Sequence, residues 1–351
     1  MFDLQALATA ILNLVTEYCQ KYNLSPLWTQ WIVFWTDIAF MGVVAGMIAA
    51  FIAIHGFFVI WMERKVSAHM QSRLGPMRVG PHGLLQSVAD TFKLLLKENI
   101  MPEKADRWVY LAAPVIVMFP AFMAFLCIPF DKGIIAKDMN LGLLYILAIG
   151  SVAVIGIFMA GWSSYNKYSI IGGMRTVAQI VSYEVPLLLS IISIVMMVGS
   201  LSMVSIIEAQ KHYWYIIVQP VAFLIYFIAA TAETNRTPFD IPEAESELVA
   251  GFHTEYSGMK FAIFFVAEYT NIFTVSAIAT TLFFGGWQGP FFPSIIWFLI
   301  KTYMLIFVLM WFRWTFPRVR VDQMMSFGWK ILTPLAFINI AVTGLLILLR
   351  R

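Results

Sequence analysis

The chain has 351 residues, 60% of them hydrophobic and 12% charged, with a mean hydropathy of +0.80 and a formal net charge of +3. Soluble domains carry about 25% charged residues, so this composition excludes an ordinary aqueous domain and assigns the chain to a bilayer. Cys19 and Cys127 stand apart, and there is no CxxC pair, no GxGxxG turn and no GxxxxGK loop. The sequence therefore carries no signature for zinc, an iron–sulfur cluster, FMN, NAD or a nucleotide, and any electrons must come from another subunit.

Residues 1–36 open the chain with a helical stripe of Leu4, Ala8, Ile11, Val15 and Tyr18, interrupted by Asp3, Gln5, Asn13 and Glu17. That is too polar to span, and it predicts an amphipathic extension on the outer face, with Trp28, Trp31 and Trp35 anchoring the first span. A spanning helix needs about 20 mostly apolar residues. Such runs fall near residues 38–61, 108–130, 141–162, 177–199, 215–232, 261–287, 294–312 and 329–349. The expected fold class is an all-α polytopic membrane protein with about eight transmembrane helices, filling residues 37–351. Between the first two spans, Gly83–Lys97 places Leu84, Leu85, Val88, Phe92, Leu95 and Leu96 opposite Gln86, Asp90, Lys93 and Lys97. This predicts an amphipathic helix lying along the interface. Loops after odd-numbered spans hold sixteen Lys and Arg residues, against six on the other side and Lys301 inside a span. The positive-inside rule then sets those loops in the cytoplasm and both termini outside.

Carboxylates inside the spans are the discriminating feature. Glu184 lies in the fourth span, Glu268 in the sixth, and Glu233 closes the fifth. A charge at mid-bilayer costs at least about 2.5–3.5 kcal/mol, so such acids face water or a partner. Pairing with Arg175 or Lys301 would be a structural use of them; a water-linked proton relay would be a functional one, with Ser182, Tyr183, Tyr269 and Asn271 as flanking hydrogen-bonding groups. The loop after the fifth span is also acidic: Asp240 and Glu243 have capping-box spacing, and Glu243 and Glu247 fall on one helical face with Glu245 opposite. His55, alone in an apolar span, reads as a hydrogen-bonded packing residue. His69, His82, His212 and His253 lack metal-ligand spacing.

Several strings are more specific than composition: residues 63–98, 160–186, 232–262, 282–290 (LFFGGWQGP) and 313–330 (RWTFPRVRVDQMMSFGWK). In this order they resemble the H subunit family of NADH–quinone oxidoreductase, respiratory complex I, called subunit 1 in mitochondria. The resemblance implies an eight-helix subunit at the junction with the hydrophilic arm, forming much of a chamber for quinone (ubiquinone or menaquinone) and its entrance from lipid. It implies a charged cytoplasmic loop at Glu63, Arg64, Lys65 and Arg73. It also implies an acidic quinone-facing loop at Asp240, Glu243, Glu245 and Glu247, with Phe252 beside it. Glu184, Glu233, Glu247 and Glu268 correspond to a proton relay toward antiporter-like subunits. Implied partners are the iron–sulfur and quinone-site subunits of the hydrophilic arm, the small and antiporter-like membrane subunits, and lipid, in a bacterial inner membrane. Two departures stand out. The third span holds no carboxylate, so a relay must pass it through water, and residues ahead of the first span extend beyond the family pattern. Homologous subunits of energy-converting hydrogenases and of ferredoxin- or deazaflavin-dependent complexes resemble the same strings. An ion-coupled transporter is a rival of another class, although no internal repeat supports it.

Overall fold

The computed structural model describes residues 4–21, 26–241 and 245–350, all helices and connecting loops with no named strand among them. Seven helices are long and apolar enough to cross a membrane among the described residues. The first two helices are α1 (Leu4–Lys21) and α2 (Pro26–Met70). The sequence predicts a span of residues 38–61, yet α2 runs unbroken for 45 residues. Pro26 sits where proline is tolerated, at a helix start, and no second proline follows until Pro76. Trp28, Trp31 and Trp35 are therefore part of α2, and all three are exposed. α1 packs along α2, but its covered side differs from the predicted stripe: Cys19 is buried, while Ile11 and Tyr18 are exposed.

The interfacial helix α3 (Gln86–Leu96) follows a 3-10 turn at Pro81–Gly83, three residues later than the apolar pattern begins. Gly80 and Gly83 both hold left-handed backbone, with φ of 72° and 74°, which delays the helix. α3 rests against α2 and α11 (Gly258–Phe283). It presents Phe92, Leu95 and Leu96 outward and turns Asp90 toward α2, where Arg64 holds it. An apolar side facing away from the bundle suits a helix lying at a lipid boundary.

The bundle proper consists of α4 (Arg107–Ala124), α5 (Gly142–Ser163), α6 (Lys167–Val198), α9 (Pro220–Glu233) and α11, with α12 (Ser294–Thr315) and α14 (Thr333–Arg350) on its flanks. α7 (Met203–Ala209) and α8 (Tyr215–Val218) are short pieces in the α6–α9 connection, and α10 (Glu245–Leu248) lies in the acidic loop. The fifth predicted span, residues 215–232, is thus divided: α8 ends at Val218, Gln219 lies between, and Pro220, lacking an N–H, starts α9. α13 (Val321–Phe327) joins α14 through a π turn at Gly328–Leu332, giving one continuous candidate span, Val321–Leu349. The core is aromatic around His55, whose ring stacks beside Phe51 and meets Phe273 edge-on. His55 also pairs with the Tyr303 hydroxyl at 3.0 Å and the Tyr269 carbonyl at 3.3 Å, as expected of a packing histidine.

At the end of α11 away from its glutamate, Lys301 of α12 is buried. Its ammonium donates to the carbonyls of Phe284 (2.7 Å), Gly286 (3.0 Å) and Gln288 (2.7 Å), beneath the Trp214 ring. A cation at a helix C-terminus satisfies carbonyls that have no partner within the helix and suits the macrodipole. Lys301 is therefore not the partner of a span carboxylate.

Candidate functional site

Three of the carboxylates singled out by the sequence line one cavity. Glu184 on α6, Glu233 at the end of α9 and Glu268 on α11 border a partly open cavity of about 120 Å³, together with Asn235, Asn271, Thr274, Phe252 and His253. That volume holds several water molecules. α4 and α5 contribute apolar walls such as Val117, Ala121, Ile146 and Val154. Glu184 accepts a hydrogen bond from Ser151 on α5, so the span lacking an acid supplies a hydroxyl instead. Pro186, two residues on, lacks the N–H that would bond to the Ser182 carbonyl, loosening the helix ladder beside the acid. Ser182 and Tyr183, expected to face water, are otherwise engaged: Ser182 donates to the Ala178 carbonyl and Tyr183 to that of Met324. Asn271 does border the cavity.

Glu268 joins this cavity to a chain of ion pairs. Arg236, just beyond α9, is buried and reaches Glu63 on α2 and Glu268 on α11, each at 2.9 Å, with its guanidinium over the Tyr269 ring. Burial opposes its charge, but Glu63 and Glu268 outweigh this and hold its pKa well above the usual value. Glu63 also pairs with Arg313 at the end of α12. Arg318 meets Asp240 at 3.3 Å. Four segments that lie far apart in sequence meet in these pairs.

The remaining predicted residues lie further out. Glu247 is exposed and pairs at 2.6 Å with Arg175, which lies about two turns into α6, and it does not border the cavity. The Arg175 guanidinium, by hydrogen bond and charge, lowers the Glu247 pKa below its ordinary value. Arg64 pairs with Asp90 at 2.5 Å, Lys65 approaches the Met77 sulfur at 2.9 Å, and Arg73 donates to Gln71 at 2.6 Å. Glu243 lies outside the described residues, as does the Glu245 side chain, so their capping and facing arrangement does too.

Close backbone contact fixes the acidic loop against α6. Ser169 donates to the Phe252 carbonyl at 3.0 Å, and Gly172 faces Gly251 so tightly that a Cβ there would sit 2.7 Å from the Gly251 Cα. Gln179, fully buried, donates to the carbonyls of Ala232 and Phe239, both at 2.7 Å. On the other side, the Tyr110 and Tyr256 rings stack at 4.1 Å and Asn166 donates to Glu255 at 2.6 Å. Sequence reasoning placed Arg236 and Arg313 only in a charge count and set His253 aside. The signal available for Arg236 was its position three residues beyond a span-closing glutamate. Arg313 had none, because its pairing with Glu63 crosses 250 residues.

Fold and site together define a class: a polytopic helical membrane protein with a carboxylate-lined cavity joined through Glu268 to a cluster of ion pairs. The family model described as NADH dehydrogenase matches residues 43–344. Among similar proteins, the H subunit of NADH-quinone oxidoreductase from Carboxydothermus hydrogenoformans is 52% identical over 313 residues, covering 88% of this chain and 89% of the relative. The protein of the same name from Dehalococcoides mccartyi strain CBDB1 is 53% identical over 299 residues, covering 85% and 84%. That of a Geobacillus species is 47% identical over 332 residues, covering 93% and 98%. The chain belongs to the NADH dehydrogenase family, among proteins named as the H subunit of NADH-quinone oxidoreductase.

Proposed function

We propose that this chain is the membrane subunit of a proton-pumping NADH:quinone oxidoreductase that walls the quinone chamber and converts quinone reduction into proton movement. The family and the names of its relatives support the role of subunit. The observation that carries the coupling role is the cavity shared by Glu184, Glu233 and Glu268, adjoining the Arg236 and Glu63 pairs. Quinone has an apolar tail and a head that takes two electrons and two protons, so it needs an apolar slot ending near polar groups. α2, α3 and α11 meet to offer the slot; Glu63, Arg64, Lys65, Arg73, Asp240, Glu243, Glu245 and Phe252 supply groups at its head. The electron donor is an iron–sulfur cluster in a docked hydrophilic subunit, and other membrane subunits receive the protons. The charged loops face the cytoplasm of a bacterial cell, with both termini in the periplasm.

Reduction of the quinone changes the charge felt by Asp240 and Glu247, and Arg236 transmits that change to Glu268 by shifting between Glu63 and the cavity acid. One pKa unit is 1.36 kcal/mol, so shifts of two units over several acids are energetically useful. Glu268→Gln and Glu233→Gln, in the assembled complex, lower quinone-linked turnover and its coupled proton release. Wild-type rates in both variants would end this reading. Copurification tests the assembly: flavin- and iron–sulfur-bearing partners support it, whereas a nickel–iron partner points to a hydrogenase-type complex.

A further inference from the structure

α3 presents three distinct faces. Ser87 is buried and Leu94 half-buried on the side that packs against α2 and α11. Phe92, Leu95 and Leu96 form an exposed apolar face, Leu96 being 87% exposed. Lys93 and Lys97, four residues apart, share the third face, a charged edge that also carries Asp90. Asp90 accepts from Arg64 of α2 at 2.5 Å and from Gln86 at 3.3 Å, and stands 3.8 Å from Lys93. Glu98 lies beyond the helix, where the backbone turns extended at Lys97, and Lys260 of α11 is turned onto the Tyr110 ring at 4.8 Å. From Arg64 to Lys97 the chain holds six Lys and Arg residues, with Asp90 as its one acid. Two hydrogen bonds set the depth of this edge. The Trp61 indole donates to the His82 carbonyl at 3.2 Å and Arg64 holds Asp90, so α3 lies where the apolar run of α2 gives way to charge. That is the level at which lipid headgroups meet a span.

We infer that this edge of α3 binds the phosphate of an anionic phospholipid, with Lys93 and Lys97 as its cations and the acyl chains lying along Phe92, Leu95 and Leu96. Two cations one turn apart repel each other, and the acid nearest them is held more closely by Arg64 than by Lys93. A phosphate between the two ammonium groups removes that repulsion. Both side chains are exposed, and their aliphatic stems lie along apolar surface while the heads reach the headgroup layer. The surplus of cations selects the lipid's charge: a zwitterionic lipid offers the same chains but carries no net charge to match it. The apolar face selects a lipid over a soluble acidic protein, which would cover the lysines and leave Phe92 and Leu96 against water.

The site is independent of the coupling reading, since its test does not measure turnover. The complete complex is reconstituted in phosphatidylcholine vesicles with a trace of phosphatidylglycerol that bears a photoactivatable group on its headgroup. After illumination and digestion, mass spectrometry finds the label on the peptide covering residues 86–98. Excess phosphatidylglycerol displaces it, whereas excess phosphatidylcholine and inorganic phosphate do not. Lys93→Gln combined with Lys97→Gln lowers labelling of that peptide by about tenfold or more, as expected for the loss of two cations near an anionic surface. Lys93→Arg combined with Lys97→Arg retains it. A wild-type peptide without label overturns the inference, as does equal displacement by phosphatidylcholine, which leaves an apolar face with no preference for charge. Displacement by inorganic phosphate overturns it in favour of a free anion site, and undiminished labelling in the double Gln variant shows that the lysines do not hold the headgroup. The competition arms use the wild-type complex, so they decide the matter even if the double Gln variant does not assemble.

Discussion

At the scale of single residues, Arg236 is the group on which the site depends. It compensates two carboxylates in a place with little water, so removing it leaves both with less charge compensation. Breaking a buried pair of this kind costs about 3–5 kcal/mol, whereas removing both charges costs much less. Arg236→Gln should therefore lower the thermal unfolding midpoint of the purified complex sharply, and Arg236→Gln with Glu268→Gln should recover part of the loss. Equal midpoints for the single and double variants would show that the pair does not stabilise the site. Glu247 behaves differently because it is exposed. Its pKa is lowered by Arg175, so the folded state binds its proton less readily than the unfolded one. The pair's contribution is complete above the ordinary carboxylate range and is lost as pH falls through the lowered value. Arg175→Gln should leave the midpoint at acid pH unchanged and lower it slightly at neutral pH, flattening this acid limb, by a small amount because the pair is exposed, and salt should mimic the variant. A large shift at neutral pH would contradict it.

At the scale of elements, helix identity was readable and helix partnership was not. Apolar runs and prolines located the spans because each span carries its own signal over some twenty residues. The same prolines explain the misread fifth span: Pro220 stands in plain sight, but hydropathy alone joined the pieces on either side. Trp28, Trp31 and Trp35 suggested an interfacial anchor, and their exposure in α2 shows that exposed aromatic residues do not by themselves end a helix. Carboxylates in spans singled out Glu184, Glu233 and Glu268, since burial of an acid is costly wherever it occurs, and the structure brings these three to one cavity. Their neighbours were beyond reach: Arg175 and Lys301 were the cations near at hand, yet one binds Glu247 and the other caps α11. Two element-scale variants test these contacts. Gly172→Ala places a methyl against Gly251 and Phe252 backbone that cannot yield, at an expected cost of about 1–3 kcal/mol. It should move the acidic loop off α6, seen as faster proteolysis there and slower turnover. Lys301→Met strands three carbonyls at the end of α11 and should cost at least about 1.5–3 kcal/mol, the value of one hydrogen bond to a charged group.

At the scale of the molecule, the site belongs to the bundle. Its cavity walls come from α4, α5, α6, α9 and α11 with the loop before α11, and α2 and α12 reach it through the ion pairs of Glu63 and Arg313. α1 is placed elsewhere: it lies along the first part of α2, and Leu4 donates to the Gly133 carbonyl in the α4–α5 loop at 3.1 Å. The family match begins at residue 43, well after α1. Coupling confined to the bundle therefore predicts that removing residues 1–21 leaves quinone-linked turnover and its pH profile at wild-type values. The cost should appear in stability alone, because the deletion uncovers the side of α2 that α1 now shields. A midpoint lowered modestly with unchanged turnover per assembled complex fits this division. A fall in turnover comparable to that of Glu268→Gln would mean that α1 acts on the cavity through α2, whose far part carries Glu63, and that the long helix transmits force to the ion pairs.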